Sequence, residues 1–471
     1  MIFCSMTFLY VFLPIVCSVY LMIRRDLRNY VLLIASIVFY AWGEPAYLAV
    51  MLITIISNYV FAIHIEKMPV GGGSKRLFFL IAAIFVDLAI LGYFKYFNFL
   101  IENINLLFKT NTDFVKVLLP IGISFYTFQA LSYLVDVYRG DVIAQKDPYK
   151  LALYIVLFPQ LIAGPIVKYH DVADQIENRH ITFNSISYGA KRFVIGLSKK
   201  MLIANQMGNL ADSIFSQQAD SFPIEIAWIG AICYSLQLFF DFSGYSDMAI
   251  GLGYIFGFKF KENFNYPYIS KSISEFWRRW HISLSTWFKE YLYIPLGGNR
   301  KGSVRTYMNL GFVFMVTGLW HGAAWTFVVW GLWNGLFIII ERYLGLNKYE
   351  TTNKWKNLSL HIYCCLVFIV GWVIFRAPDL QYAVTYIQNM FGLTERNDGL
   401  YKIWYYIDTI QIIAFIAAVI CSLPTFKNIL EYSEKNRALL WCVNGVLYIM
   451  FLLSTAEIAS STYNPFIYFR F

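Results

Sequence analysis

Runs of apolar residues long enough to cross a hydrocarbon layer recur from one end of this chain to the other, and they leave few folds open. Of its 471 residues, 58% are hydrophobic and only 14% are charged. Soluble domains are about 45–50% apolar and about 25% charged, so one globule could not keep this much apolar surface from water. The chain reads as an all-α polytopic membrane protein, in which helices satisfy their own backbone polar groups. One transmembrane domain over residues 1–471 is the simplest organisation, with its motifs concentrated between about 115 and 345.

The segments that read as spans are Phe3–Ile23, Pro45–Ile65, Leu77–Leu100, Val115–Val137, Lys191–Leu210, Glu225–Phe242, Tyr307–Trp320, Ala324–Glu341, Leu360–Phe375, Tyr405–Leu423 and Leu439–Ser454. Several fall short of the about 20 residues a span needs, which implies tilt, local thinning or burial inside the bundle. Tyr30–Trp42 ends in Gly43-Glu44-Pro45 and reads either as a thin span or as half a hairpin. If it spans, Arg24, Arg25 and Arg28, then Lys67, Lys75 and Arg76, then Arg139, Lys146 and Lys150 share one side. The positive-inside rule makes that side cytoplasmic and puts the N-terminus outside. Ile2–Ile23 has its charges after the apolar run, as expected of a first span rather than a cleaved leader. The net charge of +9 is explained by these loops; no basic stretch suits nucleic acid. The seven cysteines show no metal spacing and read as small core residues.

Two apolar stretches are badly shaped for spans. Leu151–Val167 is broken by Pro159, Gly164 and Pro165, and Tyr266–Pro295 mixes tryptophans with Glu275, Arg278, Arg279, Lys289 and Glu290. Such backbone is tolerated at membrane depth only under a cover of protein or beside water. Both read as re-entrant or interfacial elements. The polar segment Asn347–Asn357 reads as a loop.

Two of the six histidines lie in the most hydrophobic surroundings, in Trp277-Arg278-Arg279-Trp280-His281 and Thr317-Gly318-Leu319-Trp320-His321-Gly322. A group that titrates near neutrality is costly in hydrocarbon unless it has a task. Helical spacing over Glu275–Tyr291 would put Trp277, His281, Ser285 and Phe288 on one face and Trp280 on the next. Arg278 and Arg279 would suit an anionic ligand such as a phosphate; an interfacial amphipathic helix with snorkelling arginines explains the same pattern. His321 ends an apolar span beside small residues that admit a close neighbour; a core histidine bonded to a carbonyl is the plainer reading. Upstream, Asp241-Phe242-Ser243-Gly244-Tyr245-Ser246-Asp247 holds two carboxylates in need of partners. An imidazole would give them a triad-like role, and an ion pair with Arg278 or Arg279 a structural one. Asp87 and Asp136 read as structural, and His64, His170, His180 and His361 carry no motif. Nucleotide-binding, zincin and serine-hydrolase signatures are missing.

These motifs together resemble the membrane-bound O-acyltransferases, and within them the bacterial alginate O-acetyltransferase branch. The likeness is carried by Asp241–Gly253, by Glu262–Tyr268, by Glu275–Phe288 running on to Tyr291–Asn299, and by Thr317–Gly322. Pro120–Gln129 and the ending Asn464–Phe471 extend it over nearly the whole chain. The resemblance implies a bundle of about 11–13 membrane helices, re-entrant segments included, around a central tunnel. It aligns His321 with the family's essential histidine and His281 with its second motif histidine. It also implies an acetyl-CoA or other acyl thioester donor, with no permanently bound cofactor and no metal. A separate SGNH-like extracytoplasmic acetyltransferase is the implied partner, and the bacterial cytoplasmic membrane the implied location. Trp277, Arg278, Arg279, Trp280, Ser285, Trp320, Asp241, Tyr245 and Asp247 are the expected substrate-binding residues. A D-alanyl exporter of the teichoic acid type, a transporter without covalent chemistry and a lipid-modifying acyltransferase are the competing readings.

Overall fold

Helices form wherever the described backbone is regular, as burial away from water requires. The computed structural model describes residues 1–71, 73–112, 114–346, 351–394, 403–424 and 436–461. The Asn464–Phe471 motif and residues 347–350 of the expected polar loop lie outside them. Five helices, Pro45–Glu66, Gly73–Phe108, Ile224–Phe256, Lys354–Arg376 and Arg437–Ser460, are long and apolar enough to cross a membrane. The chain divides into two compact units, residues 1–193 with 246–261, and residues 194–245 with 262–471.

The first unit begins with α1 (Phe8–Met22), α2 (Arg28–Ala41), α3 (Leu48–Glu66), α4 (Gly73–Phe108) and α5 (Ile123–Arg139). Tyr30–Ala41 is thus helical, in α2, with Trp42 as its C-cap. The span expected at Val115–Val137 starts late, at Ile123, because Pro120 and the left-handed Gly122 (φ 76°) stand before it. Next come α6 (Pro148–Val156), α7 (Phe158–Leu161), α8 (Tyr169–Glu177) and the first part of α9 (Phe183–Ser198). The chain from Leu151 to Val167 is broken, as its prolines predict, and nearly all of it is buried. Side chains satisfy its loose backbone groups: Ser36 Oγ accepts from Phe158 N–H at 3.0 Å, and Tyr154 Oη donates to Val167 C=O at 2.9 Å.

In the second unit α9 continues through a π-helical turn (Lys199–Ala204) into α10 (Asn205–Phe215). Then follow α11 (Ile224–Phe256), α12 (Ile273–Arg279), α13 (Ile282–Phe288), α14 (Ser303–His321) and α15 (Trp325–Tyr343). The last elements are α16 (Lys354–Arg376), α17 (Leu380–Met390), α18 (Ile403–Tyr406), α19 (Thr409–Cys421) and α20 (Arg437–Ser460). α16 starts at Lys354, inside the expected loop, because the Asn353 side chain caps it. Tyr405–Leu423 is not one span: Asp408 and Gln411 form a capping box that starts a new helix at Thr409.

The largest departure concerns α11, which runs on past Phe242 to Phe256 for 33 residues. A reading by hydropathy stops at Phe242; the helix continues because Asp241 and Asp247 are paired by neighbours. Close packing makes the pairing possible. In the second unit a Cβ on Gly244 would stand 2.7 Å from the carbonyl oxygen of Gly196, and in the first a Cβ on Gly251 would stand 2.5 Å from that of Gly189. Helix backbones approach this closely only where side chains are absent. Gly244→Val is expected to destabilise the protein by about 1–3 kcal/mol, the usual cost of overpacking, read as a lower thermal transition in detergent. Gly92→Ala, where a Cβ meets open space, is the matched control.

Candidate active site

The helical face expected across Glu275–Tyr291 does not exist, because the chain breaks at Trp280-His281. α12 ends at Arg279, Trp280 is extended, and His281 takes the left-handed conformation (φ 43°, ψ 55°) before α13 begins at Ile282. A non-glycine residue adopts that conformation at a cost and needs neighbours to hold it there. The segment just upstream supplies them. Asn265 N–H donates to Arg279 C=O on one side of the break at 2.9 Å; Asn263 C=O accepts from Ile282 N–H on the other, also at 2.9 Å. Asn263 Oδ1 accepts from both the backbone N–H and the hydroxyl of Ser283. The far end of α12 is held by the buried Glu341 of α15, whose carboxylate accepts from Ile273 N–H, Ser274 N–H and Ser274 Oγ. Carboxylates at a helix N-terminus meet its orphan donors and its dipole.

The turn aims the His281 ring inward. His281 is 0% exposed, and its centroid lies 4.6 Å from the ring of Phe242 on α11, edge to face. Neither ring nitrogen has a hydrogen-bond partner among the described residues. A buried polar atom left so is rare and calls for a ligand or a task. Ser285, half-buried one turn on, donates its backbone N–H to His281 C=O at 3.0 Å.

His321 is the last residue of α14. Its ring packs against Trp330 of α15 at 5.0 Å, Phe375 of α16 at 5.3 Å and its neighbour Trp320 at 4.9 Å. The α14–α15 hairpin is tight because Gly318 and Gly331 lie against backbone of the facing helix, and any Cβ on Gly318 would overlap the carbonyl oxygen of Phe327.

Both imidazoles therefore share one wall. The indole of Trp320 lies 5.9 Å from the His281 ring and 4.9 Å from that of His321. The walls continue through Trp277, 5.7 Å from Trp330 and fixed by Nε1 donating to Asn334 Oδ1 at 3.1 Å, and through Trp280, 5.0 Å from Trp372. Among such aromatic walls a charge developing near either ring is little screened.

The charged residues are arranged differently from expectation. Asp241 pairs with Lys200 at 2.7 Å, both almost wholly buried. Asp247, in the first unit, is gripped by Arg192 through Nε at 2.8 Å and Nη2 at 2.6 Å. Lys200 thus takes the place expected of Arg278 or Arg279 beside Asp241. Arg279 is spent on Glu275, one turn back at 2.9 Å, and on Asn265 C=O, and Arg278 is exposed. Tyr245 is buried on α11. Sequence reasoning missed Lys200, Arg192, Glu341 and Asn334. Their only signal was polarity inside apolar runs, which names no partner.

Residues 143–375 match the family described as MBOAT, the membrane-bound O-acyltransferases. The chain is 40% identical, over all of both sequences, to a probable alginate O-acetylase of Pseudomonas putida. The chain belongs to the membrane-bound O-acyltransferase family. It is also 36% identical to a peptidoglycan O-acetyltransferase of Helicobacter pylori, over 83% of this chain and 80% of that protein. A teichoic acid D-alanyltransferase of Bacillus subtilis is 31% identical over 50% of this chain and 61% of its own length. As a membrane-bound O-acyltransferase the protein is a multi-pass membrane enzyme that moves acyl groups to hydroxyl oxygens.

Proposed function

We propose that this acyltransferase takes an acetyl group from a cytoplasmic thioester, acetyl-CoA or an acyl carrier, and passes it across the bacterial cytoplasmic membrane to O-acetylate an extracellular or cell-wall polysaccharide. The single observation that carries the reading is the pair of buried imidazoles against one indole. A thioester carbonyl needs an activated nucleophile and help for the oxyanion that forms. In this scheme a hydroxyl oxygen attacks the carbonyl, His321 takes the hydroxyl proton, the C–S bond breaks, and His321 passes that proton to the sulfur as the thiol leaves. His321 serves alternatively as a brief acyl acceptor; trapping labelled acetyl on the protein after an acid quench separates the two routes. His281 orients the thioester or polarises its carbonyl. The exposed Arg278 is free to meet the donor's phosphates, while Asp241 and Asp247 act by holding α11 in place.

The alginate and peptidoglycan relatives support acetyl as the cargo and a polysaccharide as the acceptor; in this reading an SGNH-like extracytoplasmic enzyme completes the transfer. With α2 crossing the membrane, the positive-inside rule applied to the loop arginines and lysines supports an N-terminus outside. The whole chain then works as a single transmembrane domain whose tunnel joins the two faces.

The test is direct. Purified enzyme in bilayers is offered radiolabelled acetyl-CoA, and separately a D-alanyl carrier protein, and thioester cleavage is followed. Cleavage of the first is the expected result. Cleavage of the second alone would transfer the protein to the D-alanyl class, and cleavage of neither would overturn both donors.

A further inference from the structure

The geometry points to a phosphate-binding pocket in the first unit, built from Arg25, Arg28, Arg179 and His180, which the acyl-transfer scheme does not use. A half-open cavity of about 250 Å³ lies between the end of α1, the start of α2 and the segment between α8 and α9. Arg25, Arg28, Arg179 and His180 line it together with Thr182 and Ile186, and no carboxylate does.

Its two inner arginines are held by neutral groups. Arg179 donates through Nε to Tyr20 Oη at 2.8 Å and through Nη1 to Asn29 Oδ1 at 2.6 Å, and its guanidinium lies 4.8 Å from the Phe258 ring. The Arg28 guanidinium lies 5.2 Å from the ring of Tyr20. These contacts position both forks and leave donors over. Arg179 Nη2 and Arg28 Nε are buried with no acceptor among the described residues, and neither arginine has a carboxylate within ion-pair distance there. Buried cationic N–H groups without acceptors cost free energy that a ligand rich in oxygens recovers. Guanidinium forks match phosphate oxygens two at a time, and several cations around one small cavity favour a phosphate over a singly charged carboxylate.

The pocket also sits where apolar chain meets charged chain. Leu21 is on its wall, the next residue Met22 is 87% exposed, and Arg24 and Arg25 follow. Basic pockets at such ends of membrane helices take anionic headgroups. The phosphate is therefore either that of a lipid or that of a soluble molecule, and the probes separate them.

Full-length protein in neutral detergent is titrated with phosphatidylglycerol, with retention read by native mass spectrometry, and with sodium pyrophosphate, with the thermal transition as readout. The wild type is expected to bind at least one probe. Arg28→Gln is expected to weaken that binding roughly tenfold, as loss of one charge-assisted contact does. Arg25→Glu, at an exposed side chain, is expected to weaken it as well and keeps the test valid if Arg28→Gln folds poorly. Retention of phosphatidylglycerol alone assigns the site to a lipid headgroup; a pyrophosphate-dependent shift assigns it to a soluble phosphate. Binding of neither probe, or equal binding by wild type and folded variants, overturns the proposal.

Discussion

Phenylalanine in place of His321 is expected to abolish acyl transfer while the protein remains folded. The His321 ring makes edge-on contacts with Trp330 and Phe375, and a benzyl group of similar shape keeps them. It carries no nitrogen, so neither proton nor acyl group can pass through it. Loss of a general base lowers rate by roughly a hundredfold to ten-thousandfold. Transfer of labelled acetyl, measured beside the thermal transition of the same preparation, separates chemistry from folding. A folded His321→Phe enzyme working at the wild-type rate would end the assignment. His281 calls for a different substitution, because its backbone is left-handed. Asparagine tolerates that conformation better than most residues, so His281→Asn tests the ring without forcing the turn open, and the same loss of transfer is expected.

Breaking the Lys200–Asp241 pair is expected to have the largest effect on stability. Both side chains are nearly inaccessible, so Lys200→Met removes a buried cation from the carboxylate and Asp241→Leu removes a buried anion from the ammonium. An uncompensated buried charge costs about 3–5 kcal/mol. Each single variant is expected to lose most of its monodisperse yield on size exclusion, while the double variant Lys200→Met with Asp241→Leu recovers it. Isolated neutral pairs replace buried ion pairs with little loss. A double variant as unstable as either single one would show that the two residues act separately. The prediction also distinguishes a structural carboxylate from one that serves an imidazole: a folded double variant that still transfers acetyl places Asp241 outside the chemistry.

How much of this was legible beforehand differs from residue to residue. Apolar length announced a polytopic helical protein, and Pro159, Gly164 and Pro165 announced the broken stretch after α6. The two tryptophan-histidine motifs were visible as titratable rings in apolar surroundings, and the resemblance made both the expected catalytic residues. Periodicity then misled. It treated Glu275–Tyr291 as one helix, since Trp-His-Ile is as compatible with a helix interior as with a break. The break is made by Asn263 and Asn265, whose bonds to Arg279, Ile282 and Ser283 belong to a loop that spacing cannot dock. The arginines were misread for a similar reason. Arg279 has Glu275 one turn behind it, a pairing that helical spacing allows, whereas the cations that meet Asp241 and Asp247 come from the π-helical turn after α9 and from α9 itself, far away in sequence.

The chain by itself determined what kind of molecule this is: its apolar runs dictate helices in lipid, and its local motifs identify a membrane-bound O-acyltransferase. Those properties depend on composition and on residues close in sequence, so no fold is needed to read them. Only the tertiary structure decided that His281 sits at a left-handed turn, that it and His321 share the indole of Trp320, and that Lys200 and Arg192 neutralise the carboxylates of α11. Each of these depends on which helices meet. That is set by close contacts such as Gly196 with Gly244 and Gly318 with Phe327, where the absence of a side chain, silent in hydropathy, decides how near two backbones come.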